Sequence, residues 1–554
     1  MEIAGSELKT ENLDHHGLVA AICQDLKIAE RIDALIYAED TGRNLTPGKA
    51  VEAMIINGLG FTNRRLYLTR QFFQDKPVEK LLGENIQAED ITDHALGLAL
   101  DDIHAHGETQ LYGQVAMDIA LEHNLFGKVN RIDTTSISVE GDYEKNQDPE
   151  AITITHGYSK DHRPDLKQLM LSLVVTGPSK MPIWMEALNG NSSDKESFHK
   201  TIEAVNEFQA QLDIGSESRW VADSALYTKD KLLKSNDYLW TTRVPETIKE
   251  AKELVSKSKE DLEWVSMEGG YEISRSSSNY GGVEQRWLLV YSEKAYEREK
   301  RTLEKNIKKE RDAIEKKVKK LEKQICQTKV EATLLATKLM EKEKYTVYDF
   351  IVEPVMGYKK PGRPSANENK EITGYKVKGE VSLDEGKVEQ ILNKKGRFIL
   401  ATNDLDQSGY SDENILTNYK SQQDVERGFR FIKDPWFMID SIFLKKPERI
   451  SALAMVMTLC LMVYNILEYR IRSSLETQKA TLPNQKGVET SKPTARWIFQ
   501  LMEGVCIVRF FDGLECVKET ITNLNKVRLK IIQLVGHFAC KIYGLTHENA
   551  EHPL

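Results

Sequence analysis

Two short apolar segments of this sequence each end in an aspartate, and a later segment with helical spacing contains a glutamate. Asp133 closes the segment 129–133, Asp223 closes 219–223, and Glu426 lies within 419–433. A carboxylate at the tip of a buried strand is held rigidly but stays in contact with water, and a hard cation prefers such oxygen donors. The sequence therefore predicts a fold that gathers Asp133, Asp223 and Glu426 around Mg²⁺.

The length and charge of the chain limit its organisation and its partners. With 554 residues it exceeds what one hydrophobic core supports, and roughly three domains are expected. The formal net charge of −9 gives no overall attraction to nucleic acid. Any DNA-binding surface must therefore be a local basic patch.

Cysteine usage and hydropathy predict a cytoplasmic protein. The six cysteines contain no C-x-x-C pair, and the N-terminus lacks the pattern of a signal peptide. We therefore expect a reducing compartment and no structural zinc. The most apolar stretch, residues 452–464, is shorter than the ~20 residues that span a bilayer, so it predicts a core helix and no membrane contact.

Changes in periodicity divide the chain into five regions. The first is a helical N-terminal domain, which could bind DNA or serve only as a packing module. The second and fourth are two parts of one core, the third is an insertion with coiled-coil-like helices, and the fifth is a helical C-terminal region. Their boundaries are 1–127, 128–244, 245–396, 397–475 and 476–554.

The second region has the element order of an RNase H-like core in an α/β fold. Three strands (128–140, 168–176 and 182–188) precede a helix (195–212) that Asp194 is expected to cap, and strands ending at 223 and 244 follow. In this fold the first and fourth strands lie side by side. That arrangement would bring Asp133 and Asp223 together.

The third region carries a long charged helical stretch. Apolar or small residues recur at 314, 318, 321, 325, 328, 332, 335 and 339, which predicts a seam for a partner helix. Residues 294–329 contain 14 Lys or Arg and 7 Asp or Glu, which suits either a solvated arm or one that follows DNA or dimerises. The nearby segment 359–365, with Arg363, is either a simple loop or a minor-groove hook.

The segment around Glu426 places several polar residues on one helix face. Tyr419, Glu426 and Lys433 are seven residues apart, and Gln422 falls on the same face. A separate apolar stripe of Val425, Phe429 and Ile432 is expected to seat this helix on the sheet, and Asp434-Pro435 is expected to end it.

A second basic feature is the segment 156–167, predicted to form a loop beside the acidic site. Lys160, Arg163 and Lys167 are expected to bind phosphates there. His156 or His162 as a metal ligand is an alternative, although Mg²⁺ chemistry does not require imidazole.

With these motifs the chain resembles the DDE transposases of bacterial insertion sequences that carry the signature Y-x2-R-x3-E-x6-K. Tyr419, Glu426 and Lys433 match the signature, whereas Gln422 stands where arginine is usual. Further matching segments are 132–136, 156–168, 190–194 and 221–225, and the resemblance covers about residues 125–470.

The resemblance implies a two-metal nuclease and strand transferase that acts on the inverted-repeat ends of its element. Asp133, Asp223 and Glu426 would be the catalytic metal ligands for two Mg²⁺ ions, with Mn²⁺ as a substitute. Tyr419, Gln422, Arg430 and Lys433 would contact DNA, and the protein would act as a homodimer on transposon ends and target DNA, in a bacterial cytoplasm near the nucleoid. The alternatives are a metal-dependent nuclease that does not integrate DNA and an inactive DNA-binding descendant.

Overall fold

The structure is a computed structural model, and it describes residues 6–36, 42–61, 68–141, 143, 151–212, 214, 218–341, 343–358, 369–434, 444–513 and 515–545. The chain forms two compact units. Unit 1 comprises residues 1–241 and 417–554, and unit 2 comprises residues 242–416.

Unit 1 begins with one strand and then seven helices. Thr46 caps the third helix by accepting a hydrogen bond from the Lys49 N–H, and Pro47 occupies its first turn, where a missing N–H is tolerated. The elements are β1 (Ser6–Asn12), α1 (His16–Asp25), α2 (Ile28–Ile36), α3 (Pro47–Gly58), α4 (Thr69–Phe73), α5 (Val78–Leu82), α6 (Asp93–His106) and α7 (Glu108–Glu122). The sequence interpretation missed β1.

The next elements of unit 1 form a mixed sheet. They are β2 (Val129–Val139), β3 (Lys167–Thr176), β4 (Met181–Leu188), α8 (Asp194–Gln211), β5 (Arg219–Ala222) and α9 (Lys229–Leu232), followed by β6 (Leu239–Arg243), which crosses the division between the units. β3 is antiparallel to β2 and β4, whereas β5 is parallel to β2, giving the order β4-β3-β2-β5. The prediction that the first and fourth core strands are neighbours is confirmed.

Unit 2 has its own strands and helices. They are α10 (Lys249–Ser256), β7 (Val265–Met267), β8 (Tyr271–Ser278), β9 (Gln285–Ser292), α11 (Glu293–Leu321), α12 (Lys329–Met340), β10 (Thr346–Gly357), β11 (Glu371–Leu383), α13 (Glu385–Leu392) and β12 (Arg397–Thr402). Within this unit the order β12-β9-β8-β7 is antiparallel, and β10 and β11 form a separate hairpin.

The predicted continuous seam for a partner helix is wrong. α11 ends at Leu321, and α12 starts again after Thr328, whose side chain caps it. The apolar residues of both helices pack against the β10–β11 hairpin in one cluster. The buried members of that cluster are Ile314, Val318, Leu321, Cys326, Ala332, Ala336, Tyr348, Val377 and Val381. The segment 359–365 lies outside the described residues.

The C-terminal part of the chain mixes helices and strands. It contains α14 (Asp412–Lys420), α15 (Gln423–Ile432), α16 (Pro447–Thr477), β13 (Leu482–Pro483), β14 (Glu489–Thr490), α17 (Ala495–Met502), β15 (Cys506–Asp512), β16 (Glu515–Thr522), α18 (Lys526–Val535) and α19 (His537–Ile542). The prediction of an entirely helical region after residue 475 is therefore wrong. β15 and β16 form a hairpin, whose turn includes Gly513 at a φ of 62°, and β1 completes a three-stranded sheet.

α16 is the central helix of unit 1. Its 31 residues are long and apolar enough to cross a membrane, but 89% of its most apolar window is buried inside the protein. It packs against α1, α3, α6, α7 and β4. Since these neighbours already cover its apolar surface, α16 is a core helix, as its sequence predicts.

Candidate functional site

The first predicted aspartate lies inside a strand. β2 continues to Val139, which confirms the predicted strand 128–140 but corrects the placement of Asp133 at a strand end. The neighbouring residues Ile132 and Thr134 are buried, which fixes the backbone here. Asp133 Oδ1 accepts a hydrogen bond from the Thr134 backbone N–H at 2.8 Å, and its side chain keeps 17% exposure. The carboxylate is therefore held firmly but remains accessible.

The second aspartate directly follows β5, as predicted. Asp223 Oδ1 accepts a hydrogen bond from the Ala225 backbone N–H at 2.8 Å. In the parallel pair of β2 and β5, Arg131 is opposite Val221. The ladder ends at this pair, and Asp133 and Asp223 each lie two residues beyond it in the same direction, which brings the two residues near each other.

The electrostatics of the two aspartates agree with this proximity. Burial raises the pKa of Asp133 to about 7, while the Lys160 ammonium lowers it and the Asp223 carboxylate raises it. Burial also raises the pKa of Asp223, against the lowering effects of the Ala225 N–H and of Lys160. Both groups resist ionisation because each charge is partly removed from water and faces other carboxylates.

The predicted third ligand lies on a helix that packs on the same sheet. Val425, Phe429 and Ile432 of α15 are buried, which confirms the predicted apolar stripe, and α15 contacts β2 and β3. Glu426 itself is exposed. Among the residues that the structure describes, no group of three or more His, Cys, Asp or Glu side chains is arranged to hold a metal ion. The structure thus brings Asp133 and Asp223 together without placing Glu426 as a third ligand.

The single helix predicted for residues 419–433 is wrong. Tyr419 belongs to α14, and Ser421 and Gln422 separate the end of α14 from the start of α15. Ser421 Oγ donates a hydrogen bond to the Asn418 carbonyl at 2.6 Å and accepts one from Arg131 Nε at 2.6 Å. A serine that bonds back to the preceding turn competes with helical hydrogen bonds, which explains the break.

The other residues of the signature segment differ in exposure. Gln422 is buried and Arg430 is exposed. Lys433 follows the last residue of α15, where its Nζ donates to Asp161 Oδ1 at 2.7 Å. Burial lowers the pKa of Lys433, and the bond to Asp161 acts in the opposite direction. The predicted common face of Tyr419, Glu426 and Lys433 is therefore divided between two helices.

The three basic residues of the segment 156–167 have different environments. Lys160 Nζ lies 3.9 Å from Asp133 Oδ1 and 2.8 Å from Asp194 Oδ2. Arg163 forms a bidentate ion pair with the exposed Asp165. Lys167 donates to the Tyr143 carbonyl at 3.1 Å and begins β3, which corrects its placement in a loop. Only Lys160 contacts the acidic pair.

Asp194 has a role that the sequence interpretation missed. It was expected to cap α8, but Ser193 occupies the capping position and Asp194 is the first helical residue. Its carboxylate instead accepts a hydrogen bond from Thr134 Oγ1 and forms an ion pair with Lys160. Ser192, Ser193 and Asp194 are three successive residues that can each cap a helix, so the sequence did not indicate which of them is the cap.

Close backbone packing at Gly157 and Gly190 holds the loop that carries Lys160 in place. A Cβ on Gly157 would lie 2.1 Å from the Gly190 carbonyl oxygen, and one on Gly190 would lie 2.0 Å from the Gln168 carbonyl oxygen. Gln168 Nε2 donates to the Gly190 carbonyl at 2.7 Å, and the Lys160 backbone N–H donates to Ser136 Oγ at 2.9 Å. Only residues without a side chain allow this approach.

The donor set at this site suits a hard divalent cation. Asp133 and Asp223 supply carboxylate oxygens from adjacent strands, the donors that Mg²⁺ and Mn²⁺ prefer. Both carry raised pKa values, and nearby carboxylates are among the causes, so positive charge would favour their ionised forms. The residues present therefore fit a divalent ion, with two ligands already adjacent.

One family model matches more than half of the chain. A family model described as a transposase DDE domain matches residues 126–465, and one described as a domain of unknown function, DUF4277, matches residues 8–117. No curated protein matches the chain. Similar solved structures include the piggyBac transposase synaptic complex with hairpin DNA, at 10% identity over 90% of this chain and 82% of that chain, with a TM-score of 0.37. Another is the Mos1 transposase paired-end complex with the left transposon end, at 13% identity over 33% of this chain and 58% of that chain, with a TM-score of 0.14.

Proposed function

We propose a reaction for this chain from the premise that it belongs to the DDE transposase family, whose domain model matches more than half of its residues. We infer that the protein cleaves DNA at the terminal inverted repeats of a bacterial insertion sequence. It then joins the freed 3′-hydroxyls to target DNA. The observation that supports this chemistry is the pair of adjacent, partly buried carboxylates of Asp133 and Asp223.

The proposed reaction consists of two displacements at phosphorus. In the first, water attacks the phosphodiester at the element end, and the bond to the 3′-oxygen breaks to leave a 3′-hydroxyl. In the second, this hydroxyl attacks a target phosphodiester and displaces a 3′-oxygen of the target strand. The protein forms no covalent bond to DNA in either step, so its residues act by binding and positioning.

Asp133, Asp223 and Glu426 are the residues proposed to hold two Mg²⁺ or Mn²⁺ ions. Such ions, when bound, activate the attacking oxygen and stabilise the leaving oxygen. Each aspartate accepts a backbone N–H, Asp133 from Thr134 in β2 and Asp223 from Ala225 in the turn after β5. This support keeps their oxygens in place while the DNA is bound.

The proposed DNA contacts lie in two segments, one between the two aspartates in sequence and one around Glu426. They comprise Tyr419, Gln422, Arg430, Lys433, Lys160, Arg163 and Lys167. Arg430 is exposed on α15, the helix that also carries Glu426. Positive side chains beside a carboxylate site offset the repulsion between the carboxylates and DNA phosphates. We propose that the protein acts as a homodimer on paired ends.

A joining assay tests this function. The purified protein is incubated with Mg²⁺, paired inverted-repeat ends taken from the DNA that flanks its gene, and a target plasmid. We expect both cleaved ends and joined product from the wild type. Asp133→Asn and Asp223→Asn remove one carboxylate each without changing side-chain volume greatly, and both should abolish the two products. Glu426→Gln tests the proposed third ligand in the same way.

Glu196→Gln is the matched control, because Glu196 is an exposed carboxylate in the first turn of α8. It should retain both products. Cleavage without joining would identify a nuclease that does not integrate DNA, and DNA binding without cleavage would identify an inactive descendant. Cleavage that survives in Asp133→Asn would contradict the proposed mechanism.

A further inference from the structure

Lys160 occupies the centre of the acidic site. Its Nζ donates to the Thr134 carbonyl at 2.7 Å and to Thr134 Oγ1 at 2.9 Å, and it forms the 2.8 Å ion pair with Asp194. An ammonium has three N–H donors, and these three acceptors use all of them. Asp133 Oδ1 lies 3.9 Å from the same Nζ atom. Lys160 is therefore a bound cation among carboxylates, not a surface lysine directed at solvent.

Asp161, the next residue in the chain, is a carboxylate that pairs with a lysine. Asp161 accepts from Lys433 Nζ at 2.7 Å, across 272 residues of sequence. The Lys433 side chain is 21% exposed and that of Asp161 is 35% exposed, so the pair is partly shielded from water. Lys433 is a proposed contact to a DNA phosphate. The Asp161 carboxylate binds the Lys433 ammonium in the position that a phosphate oxygen would take.

The loop is built to hold this pair of residues in position. The Lys160 backbone N–H donates a hydrogen bond to the Ser136 side chain in β2. Thr155, before Lys160 in the chain, forms an antiparallel bridge with Gln168. The contact between Gly157 and Gly190 adds a third attachment. Because three independent contacts fix the loop, its two opposite charges are placed by the fold and not by chance exposure.

We propose that Lys160 and Asp161 are resident counter-ions of the catalytic site, one replaced by the divalent ion and the other by a DNA phosphate. Lys160 offsets the charge of Asp133, a proposed metal ligand 3.9 Å from its Nζ, and Asp161 neutralises the lysine that would hold the phosphate. Each ligand therefore competes with a charge on the same loop. This inference rests on the proposed function, since it assigns both ligands to that site.

Divalent-ion binding tests the role of Lys160 without measuring catalysis. Mn²⁺ alone is titrated into the DNA-free protein and followed by electron paramagnetic resonance. Lys160→Met removes the charge but keeps the chain length. Loss of a positive charge 3.9 Å from Asp133 Oδ1, a proposed metal ligand, should tighten Mn²⁺ binding by on the order of tenfold. Lys160→Arg retains the charge and should leave Mn²⁺ binding near the wild-type level. Lys195→Met is the matched control, because Lys195 is exposed beside Asp194.

DNA binding without metal tests the role of Asp161. A labelled short duplex of arbitrary sequence is titrated in EDTA and followed by fluorescence anisotropy. Asp161→Asn should tighten binding by on the order of tenfold, the change that about 1.4 kcal/mol produces, because Lys433 no longer has a competing carboxylate. Glu196→Gln removes the same charge at an exposed site nearby and should change affinity much less. In Asp161→Asn combined with Lys433→Met, the gain should disappear.

The outcomes separate this inference from the proposed function. If Asp133→Asn does not weaken Mn²⁺ binding in the wild-type background, the metal assignment in the proposed function is wrong. If Asp133→Asn weakens it but Lys160→Met binds Mn²⁺ no more tightly than Lys195→Met, the counter-ion role of Lys160 is overturned. Equal DNA affinity in Asp161→Asn and Glu196→Gln likewise overturns the role of Asp161. The proposal stands only if both gains appear.

Discussion

Replacing Asp133 with asparagine should stabilise the metal-free protein at alkaline pH. Burial, opposed by Lys160 and reinforced by Asp223, raises the pKa of Asp133 from 3.8 to about 7. Between these values the folded protein keeps a proton that the unfolded chain has released. Stability therefore falls as pH rises from about 4 to about 7 and stays low above that range. Asparagine is neutral throughout and avoids this loss.

The size of the effect follows from the pKa difference. Each pKa unit corresponds to about 1.36 kcal/mol, so a shift from 3.8 to about 7 amounts to about 4 kcal/mol at pH 8. A unit of roughly 380 residues has an unfolding entropy of about 0.8 kcal/mol/K, so Asp133→Asn should raise the melting temperature of unit 1 by about 5 °C at pH 8. Near pH 4 the two proteins should melt together, because Asp133 is then protonated in the folded state.

Scanning calorimetry in EDTA at a series of pH values measures this difference. The two compact units are expected to unfold in more than one transition. The melting temperature of each transition is therefore compared between the proteins, and unfolding of the whole chain is not treated as two-state. Glu196→Gln, which removes an exposed carboxylate, should show no such gain. An Asp133→Asn protein that melts at or below the wild-type temperature at pH 8 would refute the reasoning, as would a difference that grows toward acid pH.

Three further predictions concern the metal, the core and the loop. Mg²⁺ should raise the melting temperature of the wild type at pH 8 but not that of Asp133→Asn, since an ion that binds only the folded state stabilises it; an equal rise in both would place the binding elsewhere. Lys49→Met should destabilise the protein by about 3 kcal/mol at pH 8, because it leaves the buried Glu52 without its 2.6 Å ion pair. Burial raises the pKa of Glu52 to about 7, so the loss in thermal stability should shrink at pH 5, and an equal loss at both pH values would contradict this reasoning. Gly190→Ala should lower both melting temperature and DNA-end cleavage, because its Cβ would lie 2.0 Å from the Gln168 carbonyl oxygen. The control is Gly386→Ala in α13, where the nearest atom is 3.8 Å away; it should lower neither, since alanine favours a helix more than glycine does.

The parts of the fold predicted correctly depend on local patterns. Apolar strands gave the pairing of β2 with β5, and helical spacing gave the buried stripe of Val425, Phe429 and Ile432. The β15–β16 hairpin was also predictable, because the run rich in β-branched and aromatic residues from 507 to 511 leads into Asp512-Gly513, which is typical of a hairpin turn. It was missed because the surrounding helices dominated the interpretation of the C-terminal region.

The parts that were not predicted depend on contacts between distant residues. Arg131 bonds to Ser421 across 290 residues, and this contact supports the break between α14 and α15. Gly157 meets Gly190 only after the sheet has formed, and Asp194 turns toward Lys160 because Ser193 precedes the first helical residue. No spacing rule along one segment contains this information, since each contact joins two segments whose relative position is set by the sheet.

The difference between the aspartates and Glu426 follows from how each is supported. Asp133 lies in β2 and Asp223 directly follows β5, so the ladder between these two paired strands places both residues. Glu426 lies on α15, which is held by the side chains of its apolar stripe and by an ion pair between Asp424 and Lys180, and a break at Ser421 separates it from α14. Such side-chain contacts restrain a helix less than a hydrogen-bonded ladder restrains a strand. The two aspartates are therefore the fixed half of the site, and the position of Glu426 depends on how α15 rests on β2 and β3.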